Sequence, residues 1–244
     1  MRNRSRGFER SSPRSVGPQI LGMKPLVIAI DGPSGVGKST LGKQLARRLN
    51  CLYIDSGAVY RAIGSAALDR GVGLEDANSV AELARNCRIE LRADSERLCV
   101  VLDGADVTER IRRPDASRAA SIVATYPHVR EAVVEKLREM GQRSGVVMDG
   151  RDIGTKVFPN ATVKLFLDAD PRARALRRWE EERQRGRDVT FERIEEEIEE
   201  RDRRDTERTA TPLVRAADAI LIDTSKMDID TVTARALEII DQQS

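Results

Sequence analysis

The chain has 244 residues, with 42 Lys plus Arg against 40 Asp plus Glu, one His, three Cys, one Trp, three Tyr and four Phe. That length suits one α/β domain with room for an inserted subdomain, and a single His all but excludes triad or His-ligated metal chemistry. Three Cys at positions 51, 87 and 99 lack both CxxC spacing and an even count, and no apolar run approaches the roughly 20 residues that cross a bilayer, so a disulfide framework, a zinc site and a transmembrane protein are all excluded.

Residues 1–22 come first and combine Ser11, Ser12, Pro13 and scattered Arg with no apolar periodicity, so a disordered basic tail without a secretory apolar core is expected there. Of the 42 basic residues 35 are Arg, and a formal +2 hints at nucleic acid. Partition removes the hint. The tail holds five Arg and one Glu, net +4, which leaves the body at −2 with its signs interspersed. The expectation is therefore a cytoplasmic monomer with no nucleic-acid and no membrane partner.

From residue 25 the order is strand, glycine loop, helix: 26–30 is a short continuous apolar run, as buried parallel strands are, and 38–49 carries apolar residues at 41, 45, 46 and 49 in helical spacing. A second strand at 51–54 leads into a helical segment near 57–68. Residues 75–145 change character, reading as a helix, a hairpin of 88–91 and 98–102 around residues 93–96, and two further helices. Buried strands return at 146–148, 163–167 and 219–222 before a closing helix. Strands alternating with helices at both ends, and a hairpin-bearing block between them, predict a doubly wound α/β core with an insert.

Gly32, Pro33, Ser34, Gly35, Val36, Gly37, Lys38 and Ser39 satisfy G-x-x-x-x-G-K-[ST] between a strand and a helix, the phosphate-binding loop (P-loop) context. Glycines let backbone N–H groups enclose a phosphate at a helix N-terminus, where the dipole favours negative charge. Lys38 is expected to reach the β and γ phosphates of a nucleoside triphosphate, and Ser39 or Thr40 to give Mg²⁺ a hydroxyl. Asp31 and Asp149 close apolar strands and are candidates for the metal's water shell. No Asn-Lys-x-Asp for reading guanine is present. Two further segments, 55–61 and 149–154, follow predicted strands and so should face the loop; each brings an Arg toward a second anion site.

Beyond the P-loop, six motifs occur in order: Ile30-Asp31-Gly32-Pro33-Ser34-Gly35, Asp55-Ser56-Gly57-Ala58-Val59-Tyr60-Arg61, Tyr126-Pro127-His128-Val129-Arg130, Asp149-Gly150-Arg151-Asp152, Val157-Phe158-Pro159-Asn160-Ala161 and Glu200-Arg201-Asp202-Arg203-Arg204-Asp205. In these the sequence closely resembles the bacterial cytidylate kinases, a branch of the nucleoside monophosphate kinases, from about residue 24 to the C-terminus. The resemblance implies a P-loop three-layer α/β/α core with a parallel sheet over 23–244, a nucleotide-monophosphate-binding subdomain inserted at 75–145 and a mobile helical lid at about 174–190. It also implies ATP as phosphoryl donor with Mg²⁺, and CMP and dCMP as acceptors.

By that resemblance Ser56, Arg61, Ser121, Arg130, Arg151, Asp152, Arg201, Asp205 and Arg208 fall on positions that bind CMP or the transferring phosphate. Their chemistry agrees. Asp152 with Ser121 can accept from the exocyclic amine of cytosine, and Arg130 can donate to its ring nitrogen and carbonyl. Uracil would set a carbonyl against the Asp152 carboxylate. Asp205 with Arg201 resembles a pair that holds the ribose hydroxyls, although residues at i and i+4 also form ordinary helix ion pairs. Arg61, with Arg151 or Arg208, suits the monophosphate because a guanidinium meets phosphate oxygens bidentately.

Residues 171–208 hold twelve Arg, thirteen acids and no Lys, most of them expected on solvated helix faces. Arg177 or Arg178 is the candidate for a lid arginine that joins Lys38, Arg151 and Arg208 in catalysis. Two competing readings remain at this stage: a P-loop kinase for another nucleotide or small metabolite, and a nucleic-acid-binding or regulatory module that uses ATP as a switch.

Overall fold

The computed structural model describes residues 25–93, 98–142 and 145–243. The basic tail of residues 1–22 and the turn of the expected hairpin therefore lie outside the described residues. The core is a five-stranded, wholly parallel sheet in the order β2 (Leu52–Asp55), β6 (Val146–Asp149), β1 (Val27–Asp31), β7 (Val163–Asp168) and β8 (Ile220–Asp223). β1 lies at its centre, which is why its apolar run is continuous: Ile28, Ala29 and Ile30 are all fully buried.

Side-chain alternation along β1 divides the core. Ile28 and Ile30 face α1 (Lys38–Arg48) and α8 (Ile229–Gln243), where Leu41, Leu45, Ala236, Ile239 and Ile240 pack. Ala29 faces the opposite layer of α2 (Ser56–Asp69), α4 (Pro114–Val123) and α5 (Pro127–Gly141). The three-layer arrangement follows directly.

Between α2 and α4 the chain adds α3 (Ala77–Asn86) and a small antiparallel sheet of β3 (Ile89–Ala93), β4 (Leu98–Leu102) and β5 (Ala105–Asp106). Asp76 caps α3 by accepting from the backbone of Asn78 and Ser79, while Pro114 and Pro127 open α4 and α5 at the position where a missing N–H costs nothing. α6 (Pro171–Gln184) and α7 (Phe191–Glu207) form a pair with a small core of its own, Ala175, Ile194 and Ile198, edged by Trp179 and Phe191 in T-shaped contact at 6.4 Å. A unit with so little apolar burial needs polar ties to hold its place.

Every strand of the main sheet ends in aspartate: Asp31, Asp55, Asp149, Asp168 and Asp223. The carboxyl edge of the sheet is thus strongly acidic, and Asp55 stands directly beside Asp149 in register. An edge of this kind demands cations, and the chain supplies them from the loops that follow.

Candidate active site

The loop after β1 closes on itself tightly. Gly32 has φ +143°, and a Cβ there would sit 2.0 Å from the carbonyl oxygen of Leu167, so only glycine fits. Gly35 and Gly37 also have positive φ, which turns the chain into the N-terminus of α1. Lys38 folds back over the loop and donates to the Pro33 carbonyl oxygen. Its ammonium is buried; burial, and then the nearby Arg151, hold its pKa well below the usual lysine value.

Of the two hydroxyl candidates only one faces inward. Ser39 Oγ donates to Asp149 Oδ2 at 2.8 Å, whereas Thr40 is exposed. Tyr53, which the sequence reading did not single out, donates its hydroxyl to the other oxygen, Asp149 Oδ1, at 2.9 Å. Burial and the neighbouring Asp55 push the Asp149 carboxyl up to about 6 against the opposing pull of Lys38, Ser39 and Tyr53. Asp31 has a different task from Asp149. Its two oxygens accept from the backbone N–H groups of Ile153 at 2.8 Å and Gly154 at 2.7 Å, so it fastens the segment after β6 instead of facing the loop.

On the acceptor side, Asp55 caps α2 through the Ala58 N–H and pairs with Arg61 at 2.6 Å; burial alone would raise its pKa, but Arg61 holds it below the usual carboxylate value. Ser56 lies against Gly150, where a Cβ would come within 2.5 Å of its hydroxyl. Arg151 Nε donates to Asp205 Oδ2 at 2.7 Å, and Arg208 approaches the second oxygen of the same carboxylate at 3.6 Å. Arg130 and Asp152 form an ion pair with only 4% and 6% of their side chains exposed. Arg130 is held further by the Ala124 carbonyl at 3.0 Å, by the Thr211 hydroxyl, and by the face of Tyr60, whose centroid lies 5.5 Å away.

These residues share one electrostatic neighbourhood. Arg151, Asp149, Arg201 and Asp205 all act on Lys38, and Arg130, Asp152, Arg208 and Asp205 all act on Tyr60, so Asp205 belongs to both groups. Arg201 is half-buried there, with its Nε fully enclosed; burial, and then Arg151, lower its guanidinium to about 10. Among the described residues it makes no ion pair. The alternative reading of Arg201 and Asp205 as an ordinary helix ion pair is therefore not met, because the Asp205 carboxylate is taken by Arg151 and Arg208.

Four buried side-chain atoms among the described residues lack a hydrogen-bond partner: Ser121 Oγ, Arg201 Nε, Arg208 Nη2 and Asp202 Oδ1. Leaving a polar group buried and unpaired costs about 1–3 kcal/mol. Three of the four lie on residues expected to touch the acceptor, which is the pattern of a polar site shaped for a ligand.

The two lid candidates are occupied elsewhere. Arg177 donates to Thr224, whose hydroxyl reaches the Val36 carbonyl of the phosphate loop at 3.3 Å. Arg178 pairs with Glu182 at 3.0 Å and Glu181 at 3.6 Å. Glu182 is buried and also takes Arg187 at 2.6 Å, so the turn from α6 toward α7 is organised around one carboxylate. Thr211, also absent from the sequence reading, has φ +48°, a conformation a β-branched residue rarely adopts, and its carbonyl accepts from Arg208 at 2.7 Å. Nothing in the local sequence marks Tyr53 or Thr211, since their contacts with Asp149 and Arg130 are distant along the chain.

A family model described as cytidylate kinase matches residues 28–242. Curated relatives named cytidylate kinase include one from Bacillus velezensis and one from Bacillus subtilis, each 47% identical over 91% of this chain and 99% of its own length. A third, from Pelotomaculum thermopropionicum, is 52% identical over 84% of this chain and 91% of its own.

Proposed function

The chain belongs to the cytidylate kinase family, and from that premise we propose that it transfers the γ-phosphoryl group of ATP to CMP and dCMP, giving ADP with CDP or dCDP. The observation that carries the reading beyond family membership is the set of unpaired buried atoms on Ser121, Arg201 and Arg208, beside the buried Arg130–Asp152 pair. A site so built waits for a ligand with both donors and acceptors.

Asp152 and Ser121 accept from the cytosine amine, and Arg130 donates to the ring nitrogen and carbonyl. The Arg130–Asp152 ion pair prearranges both readers, so little ordering is left for the moment of binding. Asp205 and Arg201 hold the ribose, and Arg61, Arg151 and Arg208 gather the monophosphate. An acceptor oxygen of that phosphate attacks the γ-phosphorus as the bond to ADP breaks, with no general base required because the attacking oxygen is already ionised. Lys38, Arg151 and Arg201 surround this point with positive charge fixed in a dry setting, where it stabilises charge spread over the moving phosphoryl oxygens.

The Ser39 hydroxyl and the Asp149 carboxylate are hard oxygen donors side by side, and they fit a Mg²⁺ that keeps several waters and takes its remaining ligands from phosphate. With ATP bound, that ion would supply charge neutralisation at the β and γ oxygens. The later turns of α6 and the turn into α7, within the segment of about 174–190, act as the lid, with Arg177 or Arg178 freed from its protein partners once phosphate competes for it. Residues 75–145 serve as the acceptor-binding insert.

No helix of the described residues is long and apolar enough to cross a membrane, and Cys51, Cys87 and Cys99 are all free thiols, in keeping with work in a reducing cytoplasm. A panel of nucleotides and small metabolites as acceptors, read by coupled ADP release, tests the reading: CMP and dCMP should lead in kcat/KM, and no preference for them would refute it.

A further inference from the structure

Arg174 sits on the second turn of α6 with only 4% of its side chain exposed. Its guanidinium spans three separate segments. Nε donates to the Ala169 carbonyl just past β7 at 3.1 Å, Nη1 donates to the Ser34 carbonyl in the phosphate loop at 3.2 Å, and Nη2 pairs with Asp202 Oδ2 on α7 at 2.7 Å. A planar fork spreads its donors over three nitrogens and so reaches three separated acceptors, whereas a lysine carries all its donors on one nitrogen. The contact with the loop is close in the backbone as well, since a Cβ at Gly35 would lie 3.2 Å from Arg174 Cβ.

α7 carries Arg201 and Asp205 on either side of Asp202, yet it shares only a small apolar core with α6. Burial alone does not fix its position. One polar tie runs from Asp205 to Arg151, beside β6. The other runs from Asp202 through Arg174 to the loop that holds the donor. The second oxygen of Asp202 is buried without a partner, so this carboxylate depends on Arg174 for its compensation.

We infer that Arg174, acting through Asp202, is a positioning residue that sets α7 against the phosphate loop and thereby fixes the distance from Arg201 and Asp205 to the phosphoryl group in transfer. The inference rests on the phosphoryl-transfer reading. Arg174 touches neither nucleotide in that scheme: its side chain is buried, and each of its three nitrogens already has a protein acceptor. Its work is alignment, to which phosphoryl transfer is sensitive because a misplacement of about 1 Å can cost about 100-fold in rate.

The full-length protein with Arg174→Lys, Arg174→Ala, Asp202→Asn, and the Arg174→Ala/Asp202→Asn double substitution provides the test. Each is measured for kcat, for KM of both nucleotides, for CMP affinity and stoichiometry by calorimetry without ATP, and for melting temperature. Each single substitution, Lys included, should lower kcat at least about tenfold while CMP affinity, which Arg61, Arg130 and Asp152 also hold, falls by clearly less, about threefold at most, and the double should be no worse than the poorer single. A kcat per CMP-binding site equal to wild type, with only the melting temperature lowered, would reduce Arg174 to a structural role and overturn the inference. So would single losses that multiply in the double, or CMP affinity falling in step with kcat. If Arg174→Ala does not fold, Arg174→Lys and Asp202→Asn decide by the same outcomes. Failure of the wild-type protein to phosphorylate CMP would refute the functional reading instead, so the two failures are distinct.

Discussion

Replacing Asp152 by Asn tests the base-reading arrangement most directly, because it keeps shape and removes charge. Asp152 and Arg130 are paired with 6% and 4% of their side chains exposed, so solvent does little to replace a lost partner. Loss of a hydrogen bond to a charged group costs about 1.5–3 kcal/mol, or about 10- to 150-fold in kcat/KM for CMP. Stranding a buried charge can cost about 3–5 kcal/mol in stability, but Arg130 keeps the Ala124 carbonyl, the Thr211 hydroxyl and the Tyr60 face, so the fold should lose less, about 1–2 kcal/mol. ATP, which the proposed function seats in the loop after β1, should be spared. UMP should gain relative to CMP, since the Asn amide can donate to the uracil carbonyl that the carboxylate repels. The assay is coupled ADP release with each nucleotide varied in turn, with a melt to establish folding. An equal fall in kcat/KM for ATP and CMP, or an unchanged CMP to UMP ratio, would refute the base-reading assignment.

Ser39→Ala should lower kcat/KM for MgATP by about tenfold or more and raise the Mg²⁺ requirement, while Thr40→Ala stays within about twofold; the reverse order in a Mg²⁺ titration would mean that Thr40 is the metal's hydroxyl. Gly32→Ala places a Cβ 2.0 Å from the Leu167 oxygen at φ +143°, so the loop must move, and kcat/KM for ATP should fall about 100-fold or more. Activity near wild type would show that the loop has slack. Burial holds Asp31 and Asp149 up near a pKa of about 6 in the folded protein against 3.8 as the ordinary value. The folded state therefore takes up protons that the unfolded state does not, and the stability gained is present at low pH and lost as pH rises through about 6. Between pH 7.5 and 5.5 the two together should add about 1–2 kcal/mol, a higher melting temperature at the lower pH, and Asp31→Asn should remove about half of the gain. A melting temperature that falls over that interval would contradict the burial of these two carboxyls.

The glycine loop and the alternation of strands and helices were legible because each is local: a run of five apolar residues and a glycine spacing are written in neighbouring positions. The antiparallel pairing of β3 with β4 followed from such signals too, whereas the short β5 beside it carries none. The candidate acceptor residues stood out only as members of motifs that resemble a family's. Neither kind of signal says which carboxylate an arginine will meet.

In this chain 35 Arg face 40 acids, and the choice among them is made by distance and burial. Arg201 and Asp205, four apart on one helix, look paired in sequence, but Arg151 claims that carboxylate from 54 residues away because β6 delivers it to the same buried spot. Ser39 and Thr40 are equivalent on paper, and only the turn of α1 against β6 puts Ser39 on Asp149. Asp31 and Asp149 both end strands, yet one fastens backbone and the other faces the loop, a difference set by what the neighbouring strand brings beside each. Arg174 reads as one of twelve arginines in a charged helical stretch until the fold sets three acceptors around it. By itself the sequence determined the elements, the glycine loop and the kind of chemistry, since these depend on short local motifs. The pairing of buried charges was decided by tertiary structure alone, because in a low-dielectric interior an ion's partner is whichever opposite charge the packing brings within reach.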